Sequence, residues 1–390
     1  MQPQVARERL IFIDALRGLV IVLMALDHVR DFFGPAPFDP LDLAHTTPAW
    51  YLTRYLTHFC APVFVFLAGT SAWLYGQTVT RHELARYLLT RGLWLIFLES
   101  TLISASWGAL FGGLVVFQVM WALGMSMIVL AGLIWLPRPA ILAFALLLIG
   151  GHNVLDGWHA KDFGGWGWLW SLLHEPGFHG TGIGKSGMFL LYPLFPWVGV
   201  MAAGYVAAPV LQGDAGLREQ RLLCTGMLLL GLMLALRAGN WFGDPQPWSI
   251  QERGELYSLL SFLNFQKYPP SLLYLCTTLG IGAWVLAAMA RIERSAPARL
   301  EWLLVFGRVP MFFYLIHLPL IHIGAHIWAL SRYGQLAGWN NAKLPPPAGY
   351  EPSLLFVYAV WAGYVLALFF ACRWYGAVKR RHPGGFLRYL

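Results

Sequence analysis

The chain has 390 residues, of which 58% are hydrophobic, 15% aromatic and only 12% charged, and its mean hydropathy is +0.57. That balance excludes a water-soluble globular enzyme and a disordered chain alike, and describes an integral membrane protein. The formal net charge of +8 is accounted for by lysines and arginines gathered beside the hydrophobic runs, as membrane topology requires, so no nucleic acid is expected as a partner.

Apolar runs long enough to span, or nearly so, occur in order at Leu10–Val29, Phe59–Tyr75, Tyr87–Ala105, Leu114–Leu136, Ala140–Leu155, Met188–Leu211, Leu222–Leu236, Leu272–Ala290, Trp302–Trp328 and Leu354–Cys372. They predict an all-α polytopic membrane helix bundle of about ten transmembrane helices, forming one transmembrane domain over residues 1–390. The runs at Ala140 and Leu222 are the shortest. The first run is longer than a signal-peptide core, holds Arg17 and is followed by no small-residue cleavage site, so it is expected to stay as the first helix. Arginines and lysines crowd the segments on the N-terminal side, among them Arg81, Arg86, Arg91, Arg138, Arg218, Arg221, Arg291, Arg294, Lys379 and Arg380. Both termini are therefore expected to be cytoplasmic, and the protein a multi-pass component of a bacterial inner membrane.

The segments on the opposite side are the elaborate ones: Phe32–Thr57, His152–Gly187, Gly239–Pro270 and Ser331–Ser353, rich in Gly, Trp, His and Pro. The string His179–Gly187 superficially resembles a phosphate loop but lacks its spacing and has no strand before it. Tryptophans near helix ends read first as interfacial anchors, although their flat faces also suit sugar rings. Cys60, Cys224, Cys276 and Cys372 lie in or at the ends of apolar runs without paired or metal-type spacing, and read as packing residues. No internal repeat is visible of the kind that inverted-repeat transporters carry.

Ionisable residues inside the runs carry the chemistry, because a charge at bilayer depth costs at least ~2.5 kcal/mol and by default marks function. On the first run Asp14, Arg17 and His28 share nearly one face, Arg17 and His28 being separated by roughly 16 Å of helical rise. The cluster Asp27-His28-Val29-Arg30-Asp31 lies at its outer end; an imidazole beside a carboxylate suits a general base acting on a hydroxyl or amine, although sequence neighbours point about 100° apart and Asp27 is free to serve another partner. His58, near the start of the second span, lies at a similar depth and reads equally as a packing residue. The ninth run repeats the polarity of the first: Arg308 inward at about the depth of Arg17, then Tyr314, with His317 and His322 outward near the depth of His28 and His326 beyond. The i, i+4 pair His322 and His326 lacks a completing acidic ligand, so no metal is expected. Glu99 is a candidate countercharge for a buried arginine. Together these residues suggest a polar shaft in which Arg17 and Arg308 bind the phosphates of an acyl-CoA entering from the cytoplasm and His28, with Asp27 and His58, performs acyl transfer outside.

Arg17-x10-His28 resembles the arginine-histidine signature of membrane acyltransferases that modify bacterial surface glycans. More closely, Ile13-Asp14-Ala15-Leu16-Arg17-Gly18, Asp27–Phe33, Thr57–Gly69 and Phe306–Pro310 with Tyr314 and His317 resemble the bacterial branch of the heparan-alpha-glucosaminide N-acetyltransferase family. The resemblance implies a transferase that moves acetyl from cytoplasmic acetyl-CoA to a sugar amine or hydroxyl, with an essential histidine as general base or acyl carrier. It implies acyl-CoA and a glycan or amino-sugar acceptor as partners. Membrane lipids and a possible homodimer are expected beside them, and on their position in the shaft Arg30, Asp31, Tyr314, His317 and His322 are expected to bind substrate. In the lysosomal member the active histidine lies in the loop after the first helix, where this chain offers His45 in a different local sequence; His28 and His45 stand as the two candidates. The competing reading is a transporter of a small anion or lipid-linked sugar, using the same arginines as its binding site.

Overall fold

The computed structural model describes residues 10–110, 113–180, 186–337 and 346–382. Residues 181–185 of the glycine-rich string lie outside them. In chain order the elements are α1 (Ile11–Phe33), α2 (Pro48–Leu56), α3 (Cys60–Gly76), α4 (Arg81–Leu98), α5 (Ser104–Ser106), β1 (Leu114–Phe117), α6 (Val119–Leu133), α7 (Arg138–Gly151) and α8 (Gly167–Leu173). There follow β2 (Gly177–Gly180), β3 (Gly187–Leu190), α9 (Leu194–Ala207), α10 (Ala215–Ala238), α11 (Glu255–Leu263), α12 (Leu272–Ser295), α13 (Glu301–Gly307), α14 (Pro310–Tyr333) and α15 (Leu354–Arg381). The chain is an all-α polytopic bundle with a small sheet in its loops.

Eight spans among the described residues are long and apolar enough to cross a membrane. Two further helices fall short on one count each. Helix α6 has only 15 residues, and α1 has the length but carries Asp14, Arg17, Asp27, Arg30 and Asp31. With these two, every apolar run of the sequence corresponds to a helix. Four runs differ from the expectation. The second span starts at Pro48, because α2 passes through a 3₁₀ turn at Thr57–Phe59 straight into α3. The run from Leu114 and the run from Met188 each begin as a strand, interrupted by Gln118 and by Pro193 before the helix starts. The ninth run breaks at Arg308–Val309, where Pro310 opens α14 from its first position, a place where its missing N–H costs nothing.

Helix α1 is the axis of the bundle. It packs against α3, α12, α13, α14 and α15, and its buried residues run around its whole circumference. Packing on every side is what keeps so many charges on α1 away from lipid. The approach of α13 depends on two glycines: a Cβ on Gly307 would lie 1.8 Å from the Asp14 carbonyl oxygen, and one on Gly18 would lie 2.1 Å from that of Leu303. Backbone therefore touches backbone beside Asp14 and Arg17. Helices α7, α10 and α15 are peripheral, presenting Leu146, Leu147, Leu228, Leu366 and Phe370 outward as a lipid face.

Long loops close one end of the bundle. Strands β1, β3 and β2 form a three-stranded sheet in that order, β1 parallel to β3 (Leu114 opposite Gly187) and β2 antiparallel to it (Phe178 opposite Phe189). The segment after α10 is anchored by Arg237, a fully buried guanidinium that donates to the carbonyls of Phe262 (3.0 Å), Gln246 (2.6 Å), Ser261 (3.0 Å) and Asn264 (2.8 Å). Five N–H donors in a fixed fork can satisfy several carbonyls where an ammonium could not. Asp244 completes the anchor, accepting from Gln246 N, Gln266 N and the Ser271 hydroxyl. Burial holds its carboxyl above the usual range against those bonds. The tethered loop delivers Lys267 and Tyr268 to the interior.

Candidate active site

A cavity of about 850 Å³ opens between the outer half of α1, the start of α3, the sheet and the Lys267 loop. His28, Asp27 and Asp31 line it with Arg54, Thr57, Trp107, Tyr192, Lys267, Tyr268 and Tyr314. A second cavity, of about 260 Å³, lies along the first half of α1 and is lined by Arg17, Ser71, Tyr87, Arg91 and Met311. It gathers the second and third turns of α1, the middle and later turns of α3 and α4, the inner face of α6 from Val119 to Met127, and the first turns of α14. Phe64, Val119 and Tyr314 line both cavities, so these three side chains are all that the two spaces share.

His28 is bonded to His317. Its Nδ1 lies 2.8 Å from His317 Nε2, with the rings nearly parallel, and His317 Nδ1 lies 2.7 Å from the Tyr314 carbonyl and 3.0 Å from that of Phe313. Carbonyls only accept, so His317 Nδ1 carries the proton and its Nε2 must accept; His28 Nδ1 is then the donor. The remaining Nε2 of His28 keeps its lone pair. His317 is fully buried, and Trp107 meets His28 edge-on at 5.5 Å, so the ring is held from two sides.

Asp27 does not touch that imidazole. Arg54 reaches both its oxygens at 2.7 Å, Thr57 donates at 2.8 Å, and Arg30 pairs with it at 2.8 Å. Arg30, almost wholly buried, also binds Asp31 at 2.6 Å. Four side chains thus form a charge network that fixes the outer end of α1 to α2. Charges taken out of water persist only when each has a partner, and here each has one, although Arg30 Nη1 finds no hydrogen-bond partner among the described residues. Beside the network lie Lys267 and Tyr268. Burial would raise the Tyr268 phenol, but the Lys267 and Arg54 cations outweigh it and hold it below its ordinary value.

Arg17 donates to Asp14 at 2.8 Å and to the Ser71 hydroxyl. Arg91 lines the same cavity. Arg308 does not: Gly307 packs on Asp14, so Arg308 sits level with the Arg17 turn, but its side chain is exposed and lines neither cavity. The helix break turns it outward. His58 is buried against Tyr55 and Tyr274 without facing either cavity. His322 packs on Phe32, and its Nε2 lies 2.7 Å from that of His326, also outside both cavities. Among the described residues Glu99 pairs with no arginine; beside a π turn at Glu99–Ile103 its carboxylate accepts from the N–H groups of Met120 (2.8 Å) and Trp121 (3.0 Å), capping α6. His45 lies in an exposed loop, bonded to Asp42 at 2.6 Å.

Sequence reasoning brought His28, Asp27, Asp31, Tyr314 and His317 to one place and missed Arg54, Lys267, Tyr268, Tyr192 and Arg91 as wall residues. Lys267 had a signal: one of only two cations, with Arg253, in a long loop rich in aromatic residues.

The protein is thus a multi-pass helical bundle with the half-buried His28 on the wall of a large cavity, His317 bonded behind it, and guanidiniums in a second cavity. Residues 9–238 match the family described as Heparan-alpha-glucosaminide N-acetyltransferase, catalytic. The match covers more than half of the chain, and the chain belongs to that family. It is thus a transmembrane acyltransferase. No curated protein matches the chain.

Proposed function

We propose that the protein transfers an acetyl group from acetyl-CoA to an amine or hydroxyl of a sugar in the larger cavity, with His28 as general base. One observation supports this above all: the His28–His317 bond, which leaves the Nε2 lone pair of His28 as the basic atom on a cavity large enough for a sugar. The acceptor N–H or O–H gives its proton to Nε2 as its heteroatom attacks the thioester carbonyl. The C–S bond then breaks, and the imidazolium returns the proton to the leaving thiolate. Lys267 and Tyr268 supply donors for the carbonyl oxygen as its charge develops. Asp27, tied up by Arg54, Thr57 and Arg30, holds the outer end of α1 in register and takes no proton.

The donor approaches through the smaller cavity. At 260 Å³ it is below the ~300 Å³ of small ligand pockets, so it accommodates a thioester arm while the nucleotide stays at the mouth. Arg17 and Arg91 meet the phosphates there, with the exposed Arg308 two residues before the cavity-lining Pro310. The arm passes Phe64, Val119 and Tyr314 to reach His28. With basic segments cytoplasmic, donor and acceptor come from opposite faces of a bacterial inner membrane.

The test is direct. Purified protein in detergent, given acetyl-CoA labelled in the acetyl group and a panel of amino sugars and neutral sugars, is expected to move label to an acceptor. Label that leaves the donor only as free acetate, at a rate no acceptor changes, would overturn the assignment.

A further inference from the structure

Away from both cavities, His152, Asp156 and His174 converge in the loop between α7 and α9. Their ligand atoms all lie within 4.8 Å of one another, with His174 Nε2 3.2 Å from Asp156 Oδ1. His152 and His174 are each about 2% exposed. Among the described residues neither ring nitrogen of His152 has a partner in hydrogen-bond geometry, although the Pro270 backbone is near enough to bear on the ring, and His174 Nδ1 has none either. Buried polar atoms without partners are costly, at about 1–3 kcal/mol apiece, and each such group calls for an occupant. An apolar filler would not answer two imidazoles and a carboxylate turned toward one point.

We propose that His152, Asp156 and His174 bind one zinc ion, with water as its fourth ligand. Two imidazole nitrogens and one carboxylate oxygen are the donor types zinc takes in tetrahedral sites. Bonds of about 2.0–2.2 Å around a tetrahedral centre set ligand atoms roughly 3.4 Å apart, so small side-chain rotations from the present spacing complete the set. His152 and Asp156 stand one helical turn apart at the end of α7, which brings both side chains to one side. Asn153 donates to the second oxygen of Asp156 at 2.8 Å, and its own oxygen accepts from Leu272 N at 2.9 Å. That bond orients the carboxylate as outer partners of metal ligands do, and ties the site to the start of α12. A second rung, His159 to Glu175 at 3.1 Å, closes the same loop on itself.

The zinc has a structural purpose here. His174 ends α8 three residues before β2, whose Phe178 forms part of the wall of the larger cavity. A metal clamp between the end of α7 and His174 holds that strand in place.

Protein purified without a polyhistidine tag is expected to carry about one zinc per chain by mass spectrometry of the metals. After chelation, cobalt(II) should restore one equivalent and give the intense visible band of tetrahedral coordination. His152→Ala and His174→Ala should each abolish both signals and the zinc-dependent rise in unfolding temperature, whereas His322→Ala should leave them unchanged. Stoichiometric metal that survives loss of both His152 and His174 would overturn the proposal. So would a chelated wild-type protein that takes up neither zinc nor cobalt, a result that needs no variant to fold.

Discussion

The two cavities are built on the same helix and hold opposite kinds of chemistry. Around His28 the wall is a web of named bonds: an imidazole pair, a carboxylate held by two guanidiniums and a hydroxyl, an ammonium and a phenol. Around Arg17 the wall is mostly apolar, with Ile21, Phe64, Ala68, Leu95, Leu123 and Met127 framing a few cationic and hydroxyl groups. Proton transfer demands a fixed atom, because a misplacement of about 1 Å can cost 10²-fold in rate. Holding a charged, flexible donor demands only cations at the right depth and a greasy channel behind them. Substitutions in the first region should therefore act on turnover, and those in the second on donor affinity.

The largest effect is expected at the dyad. His28→Gln keeps a hydrogen-bonding group of similar reach but removes the base, and should lower turnover by about 10³-fold with donor affinity unchanged. His317→Gln should cost about 10²-fold: it leaves His28 in place but no longer obliges its proton onto Nδ1, so the lone pair is lost from Nε2 part of the time. Turnover measured at saturating acetyl-CoA checks both. Full activity in His28→Gln would end the division of labour between the cavities.

Next comes the charge network. Arg54→Leu removes the bidentate partner of Asp27 and leaves a half-buried carboxylate with Arg30 and Thr57 alone. Removing one partner of such a pair destabilises by about 3 kcal/mol, so the unfolding temperature should fall and the catalytic rate of the surviving folded protein should fall less than in the dyad variants. A rate loss equal to that of His28→Gln with no loss of stability would make Arg54 part of the proton path instead.

Arg17→Lys should weaken acetyl-CoA binding about tenfold, since an ammonium does not reproduce a forked donor set already shared with Asp14 and Ser71. Turnover at saturation should stay within a factor of two or so, a margin of roughly 0.4 kcal/mol. Isothermal binding of the donor and a rate curve against its concentration separate the two quantities. Equal loss in both would erase the contrast between the regions.

How much of this was legible in the chain follows from what is local and what is not. Hydrophobic runs, their number and the expelled charges Arg17 and His28 are local, and all ten runs became helices. The sheet was not legible, because Leu114–Phe117 and Gly187–Leu190 are apolar stretches continuous with helices, and only pairing with each other distinguishes them. Nor was the partner of His28, 289 residues away, although His317 itself stood out as an imidazole inside an apolar run. The outward turn of Arg308 depends on a backbone break whose sole local sign is Pro310. Nothing in the sequence singled out His152 and His174, because their meeting is decided by how the loop after α7 folds back.

The smallest effect sharpens the choice between the two histidines that the family resemblance left standing. His45 is bonded only to Asp42 within an exposed loop that Arg253 ties down through the carbonyls of Leu43, Ala44 and Thr46. Neither cavity includes it. The His45 hydrogen bond holds the Asp42 carboxyl below its usual range, so by linkage the loop loses that support as pH falls through the depressed value, and keeps it at neutral pH. His45→Gln can still donate to Asp42, and should leave turnover and donor affinity within about twofold and stability within ~0.5 kcal/mol, the ordinary scatter for a surface position. Assayed beside His28→Gln, it separates a base that must sit in the cavity from an imidazole that only braces an exposed loop. If His45→Gln abolished transfer while His28→Gln did not, the loop would have to fold inward over the substrate, and the reacting atoms would lie elsewhere than at Nε2 of His28.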